Sequence, residues 1–182
     1  MNPIVNIDSA QADHQLEHGG VFEMRMSELS ARVGAKQIGV NLTTVPPGKA
    51  AFPFHHHYVN EEQFFIVRGT GVLRFGDQQY PVKPGDFIVT PAGGPELAHQ
   101  LINTGVDELA YLAISTNAAP EIVGYPDSQR TGVRTVPYGA PGPAAFFVAD
   151  ETRAAITYWD GEDGNQVRAA LGIPQTGSKP RS

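Results

Sequence analysis

The chain has 182 residues, near the size of one domain, and carries 13 Lys and Arg against 19 Asp and Glu, a formal net charge of −6. That balance argues against a nucleic-acid partner, which needs a basic face to neutralise phosphates, and against electrostatic docking on an anionic membrane. There is no cysteine, which rules out a disulfide framework, a thiolate zinc site and a cysteine nucleophile.

The first residues, MNPIVNIDSA, show neither a basic n-region nor an apolar h-region. The longest apolar run, over residues 109–114, falls far short of the roughly 20 residues that a membrane helix needs. The expectation is a soluble, cytoplasmic protein. Gly and Pro number 20 and 15, a share that long helices do not tolerate and that short strands joined by turns explain.

Residues 1–33 show no clean period, and DHQLEH at 13–18 reads as one or two helical turns. Residues 34–45 are rich in β-branched and aliphatic side chains and read as a strand, stopped by Pro46, Pro47 and Gly48. Between 49 and 116 a run of short strands follows, at 62–67, 72–75, 80–82, 87–90, 99–102 and 109–115, with Gly and Pro turns between them. This spacing predicts an all-β sandwich or barrel over 34–116. Residues 1–33 form an N-terminal extension. Residues 117–182 form a C-terminal one that packs on the barrel or across a dimer, with strands expected at 144–148 and 154–159 and a short helix at 166–171. Tyr158, Trp159 and Asp160 read as an anchor for this tail.

The chemistry concentrates at His55-His56-His57 and Glu62. Side chains alternate along a strand, so His55 and His57 share a face while His56 points outward on the other and does not ligate. Glu62 opens the next apolar run on the face of Phe64 and Ile66, and a bend between Tyr58 and Glu61 brings it beside the two imidazoles. Two His and one carboxylate then form a facial metal site with open positions. His99, in the strand-like HQLI, supplies a fourth ligand if its strand lies alongside. Such donors suit iron, manganese, nickel, copper or zinc and suit calcium poorly. Phe64, Ile66 and Tyr58 are candidates for the wall of a small substrate pocket. Gly69, Gly85 and Gly93 read as turn positions with positive φ, and Asn103 as a residue that bonds backbone in the turn after it. His14 and His18 read as a solvated polar pair. Neither a Gly-x-Ser-x-Gly elbow nor a Gly-rich phosphate loop is present.

These motifs resemble those of the cupin superfamily. Gly48, KAAFPF, His55-His56-His57, YVNE, Glu62, QFFIVR and Gly69 follow the first cupin motif, with one residue more than usual between Gly48 and His55. Gly85, DFIVT, Pro91-Ala92-Gly93, GPELA, His99, QLI and Asn103 follow the second, with five residues before the His in place of two. GVNLTTVPPG, YPDSQRTGV and YWDGE are similar to a group of small single-domain cupins. The resemblance implies an antiparallel jelly-roll barrel, or double-stranded β-helix, with one divalent transition metal (Fe, Mn, Ni or Zn) on His55, His57, Glu62 and His99. It also implies a homodimer with a small-molecule ligand. It does not choose the reaction, because fold does not fix function. A metal-dependent enzyme on a small oxygenated metabolite, dioxygenase-like or sugar-isomerase-like, is the first reading. A non-catalytic module that binds a sugar or organic acid through its metal is the alternative.

Overall fold

Strand formation here follows the alternation of apolar residues, and a computed structural model shows where each strand pairs. It describes residues 2–137 and 146–150, together with Arg168, Leu171, Gly172 and Pro174. The chain divides into two compact units, Met1–Asp150 and Glu151–Ser182. The strands expected within 154–159, the helix at 166–171 and the anchor residues Tyr158, Trp159 and Asp160 lie wholly or almost wholly outside the described residues.

The strands of the first unit are β1 (His14–His18), β2 (Phe22–Glu28), β3 (Ile38–Val45), β4 (His56–His57), β5 (Glu62–Arg68), β6 (Gly71–Phe75), β7 (Gln78–Val82), β8 (Phe87–Thr90), β9 (His99–Ile102), β10 (Leu109–Thr116), β11 (Glu121–Tyr125), β12 (Arg130–Arg134) and β13 (Phe146–Asp150). A six-stranded sheet runs β1-β2-β3-β10-β5-β8, a four-stranded sheet β13-β12-β11-β4, and a three-stranded sheet β7-β6-β9. Every strand pair is antiparallel. Among the described residues of the first unit, helix is limited to one turn, Leu29–Arg32, and two 3-10 turns. Among the described residues no helix is long and apolar enough to cross a membrane.

The core sits between the sheets. β5 shows why: Phe64 and Ile66 turn inward and are buried, whereas Phe65 between them is 37% exposed. They join Val45, Leu73, Leu101 and Leu109 in one cluster. A second cluster, Leu29, Leu42 and Ala110, lies under the N-terminal segment, where Val5, Ile7 and Ala10 pack against it. Residues 1–33, expected as an extension, therefore add two strands to the large sheet and a cover to its apolar residues.

Two local readings change. DHQLEH forms the edge strand β1, paired with β2 over its whole length, and no helical turn. All five residues of β1 are exposed, so no buried face marks its period in the sequence. Of the three turn glycines, Gly69 and Gly85 have φ of +77° and +91°, but Gly93 is not in the left-handed region. A Cβ at Gly93 would lie 2.5 Å from Leu97 Cδ1, the movable end of a side chain, so a larger residue there would have to displace it. The three residues added to the second motif are accommodated by the 3-10 turn Pro95–Leu97, which returns the chain to β9 at His99. Asn103 is fully buried and donates from Nδ2 to the carbonyls of Val45 and Asp107, both at 2.8 Å.

Candidate metal centre

Backbone pairing brings the candidate ligands together. His55 forms a bridge with His99, its N–H donating to His99 O at 3.2 Å while His99 N–H donates to His55 O at 2.7 Å. His57 pairs with Val123 and His56 with Gly124 on β11. Glu62 begins β5, two residues before Phe64, between β8 and β10. As a result one donor atom from each of His55, His57, Glu62 and His99 falls within 4.8 Å of every other. Glu62 Oε2 is the hub: Nε2 of His99, His57 and His55 stand 3.1, 3.4 and 3.8 Å from it.

The backbone fixes the rings. A carbonyl can only accept, so Nδ1 of His55 donates to Pro53 O at 2.8 Å and Nε2 is left to face the cluster. Nδ1 of His99 stands 3.3 Å from Leu97 O in the same way. Backbone partners of this kind orient metal-binding histidines. His57 differs, because among the described residues neither of its buried ring nitrogens has a hydrogen-bond partner. Its Nδ1 lies 3.7 Å from Glu121 Oε2.

The charges follow. Burial, with the neighbouring His99 and His57, pushes His55 down to about 3, so that imidazole is neutral. Burial would lower His57 too, but Glu121 and Glu62 on either side reverse it and push it up to about 9. Burial would raise Glu62, and the imidazoles of His57, His99 and His55 overcome it and hold the carboxyl well below its ordinary range. An ionised carboxylate among three imidazole nitrogens is a donor set that first-row transition metals accept. The buried and unpartnered Nε2 of His57 is the atom that such a cation would satisfy.

The other named residues fall in different places. Phe64 packs at the cluster, its ring tilted against that of His99 at 5.6 Å and edge-on to that of Tyr111 at 5.7 Å. Ile66 is fully enclosed in the core behind it. Tyr58 is half exposed, its ring edge-on to His56 at 4.8 Å, on the side of β4 away from the cluster. His56 does face away from the ligands, but it is 3% exposed and not outward, and its Nδ1 donates to Gly93 O at 2.8 Å. Two residues beyond the expected barrel also belong to the site. Tyr125 sets its ring 6.2 Å from that of His55, and Glu121 stands behind His57. Tyr125 opens the YPDSQRTGV stretch, which has no site role in the sequence motifs, Glu121 has no motif around it, and the pairing of β11 with β4 brings both here.

A small antiparallel β-structure with a His-rich, carboxylate-centred cluster between its sheets is the class that fold and site define. Residues 41–115 match the model of the cupin domain. An oxalate-binding protein of Thermotoga maritima is 33% identical over 70 residues, 38% of this chain and 54% of that protein. Auxin-binding protein 1 of Arabidopsis thaliana is 31% identical over 100 residues, 52% and 50% of the two chains. The chain spans about half the length of these curated relatives. Among solved structures, a sugar phosphate isomerase of the cupin superfamily from Silicibacter pomeroyi aligns over 86% of this chain and 98% of its own, at 24% identity and a TM-score of 0.70, a likeness of fold.

Proposed function

We propose that His55, His57, Glu62 and His99 hold one divalent transition-metal ion and that the protein uses it on a small oxygenated organic acid. The observation that carries this reading is the convergence of three imidazoles on one ionised carboxylate, with Nε2 of His57 buried and unpartnered. When bound, such an ion supplies Lewis-acid polarisation of an oxygen ligand. The chain's own residues do the rest. The carbonyls of Pro53 and Leu97 keep the rings of His55 and His99 aimed inward, Glu62 stays charged, and Phe64, backed by Ile66, excludes water from one side.

An organic acid fits better than a sugar phosphate. Among the described residues the ion pairs at the cluster join histidines to Glu62 and Glu121 alone, and Arg74 is committed to Asp127 and Gln100. A phosphate group calls for Lys or Arg at its oxygens. The likeness to a protein named for binding oxalate supports the same class of ligand, and its name favours a second reading, binding without turnover. The protein is a homodimer in this reading.

The test is elemental analysis of untagged protein beside His57→Ala, followed by titration of oxalate and small hydroxy acids into the loaded protein. About one iron, manganese, nickel or zinc per chain, lost in the variant, and saturable binding of an acid are expected. No metal in either protein and no uptake on its addition overturns the reading. Loss of the bound acid with time marks an enzyme, and a redox-active metal is then needed for dioxygenase-like chemistry. Stable binding marks the module.

A further inference from the structure

Glu121 is a carboxylate with 1% of its surface exposed, and nothing in the cupin motifs accounts for it. Burying a carboxylate is costly unless it is well satisfied, and this one is. Its Oε1 accepts from the backbone N–H groups of Ile122 at 2.9 Å and Val59 at 3.3 Å. Its Oε2 accepts from the backbone N–H of Asn60 at 3.0 Å and from the Asn60 side-chain amide. Asn60 is itself held, its Oδ1 accepting from Ala118 N–H at 2.7 Å and from Thr116 Oγ1 at 2.9 Å. Val59 and Asn60 lie in the loop that joins β4, which carries His57, to β5, which begins with Glu62. The remaining side of Oε2 faces Nδ1 of His57 at 3.7 Å.

We infer that Glu121 is a positioning residue for the metal centre, anchoring the loop between two ligand strands while holding Nδ1 of His57 from behind so that Nε2 is presented to the ion. His55 and His99 have backbone carbonyls in that place, and only His57 has a full negative charge. A carboxylate behind a ligating imidazole fixes its orientation and makes it a stronger donor, and loss of such a partner typically costs 10- to 100-fold in metal affinity. The inference rests on the proposed metal site.

The experiment is zinc titration of untagged protein against a competing chelator dye, with melting temperature recorded in excess chelator. Glu121→Gln keeps the shape and removes the charge. Thr116→Val loosens the same loop through Asn60 and Glu61 without touching Glu121. Glu121→Gln is expected to weaken zinc about tenfold or more. Thr116→Val is expected to lower the melting temperature and leave zinc affinity within about threefold of wild type. Equal loss of affinity in the two variants, or none in Glu121→Gln, overturns the positioning role, whereas a wild-type protein that takes up no zinc overturns the metal site itself. Should Glu121→Gln not fold, the proton on Nδ1 of His57 in zinc-loaded wild type decides the matter by NMR. A downfield signal protected from solvent exchange is expected, and a freely exchanging one overturns the role.

Discussion

Two strands of this protein carry histidines beside acidic residues, with opposite results. On β1, His14 and His18 lie on an exposed edge, and His14 reaches across to Glu28 at 2.8 Å with both partners open to water. On β4 and the residue before it, His55 and His57 turn into the space between the sheets and meet Glu62 and His99 there. The residue types are the same. What differs is convergence from several strands and the exclusion of water, which leaves both ring nitrogens of His57 without a hydrogen-bond partner and shifts the charge of the cluster. A water-filled pair on an edge strand has every valence met by solvent and offers a cation little.

The largest expected effect breaks the buried cluster at its hub. Glu62→Gln should reduce metal content from about one per chain to near zero by elemental analysis, while His14→Ala leaves it unchanged. Next comes pH. His57 titrates near 9 while an imidazole ligand must be neutral, so metal has to displace a proton. Apparent affinity is then expected to rise roughly tenfold per pH unit between pH 7 and 9 and to level off above, read by competition titration. The same raised value makes His57 stabilising in chelated protein. That contribution is complete below the ordinary imidazole range near 6.5 and is lost as pH rises through 9, which a pH series of melting curves with chelator present will show. A third comparison lies within β4. His56→Ala removes a buried ring and its bond to Gly93 O, so a stability loss of about 1–3 kcal/mol is expected by denaturant unfolding, with metal content kept. The smallest effect is at the edge strand, where His14→Ala should change stability by no more than about 0.5 kcal/mol.

The sequence was most legible where its local signals were strong. Gly and Pro bracket most barrel strands, and in β5 Phe64 and Ile66 alternate with less buried neighbours, so strand and face are both readable. His55, His57 and Glu62 are close enough in sequence for parity alone to place them on common faces. Glu121 was not legible for the opposite reason. It is a single acidic residue after Ala119-Pro120 at the head of an apolar run, and nothing local distinguishes it from a solvated strand end. Its burial depends on β11 pairing with β4, a contact across about sixty residues. β1 was misread because alternation becomes visible only when one face is buried, and β1 buries neither. Gly93 does not take the positive φ that its place in the turn suggested, because the backbone of that turn depends on contacts that spacing does not reveal.

The spread of the ligands along the chain has one more consequence, for the denatured state. Three of the four lie between residues 55 and 62, and the fourth, His99, comes 37 residues after Glu62. An unfolded chain therefore keeps most of its donors within one short stretch and retains some grip on a divalent cation. Because ligand-induced stabilisation depends on the difference between native and unfolded affinities, added metal should raise the melting temperature by less than the native dissociation constant alone implies. The shortfall measures how much of the site is local sequence and how much is made by closing the barrel around His99.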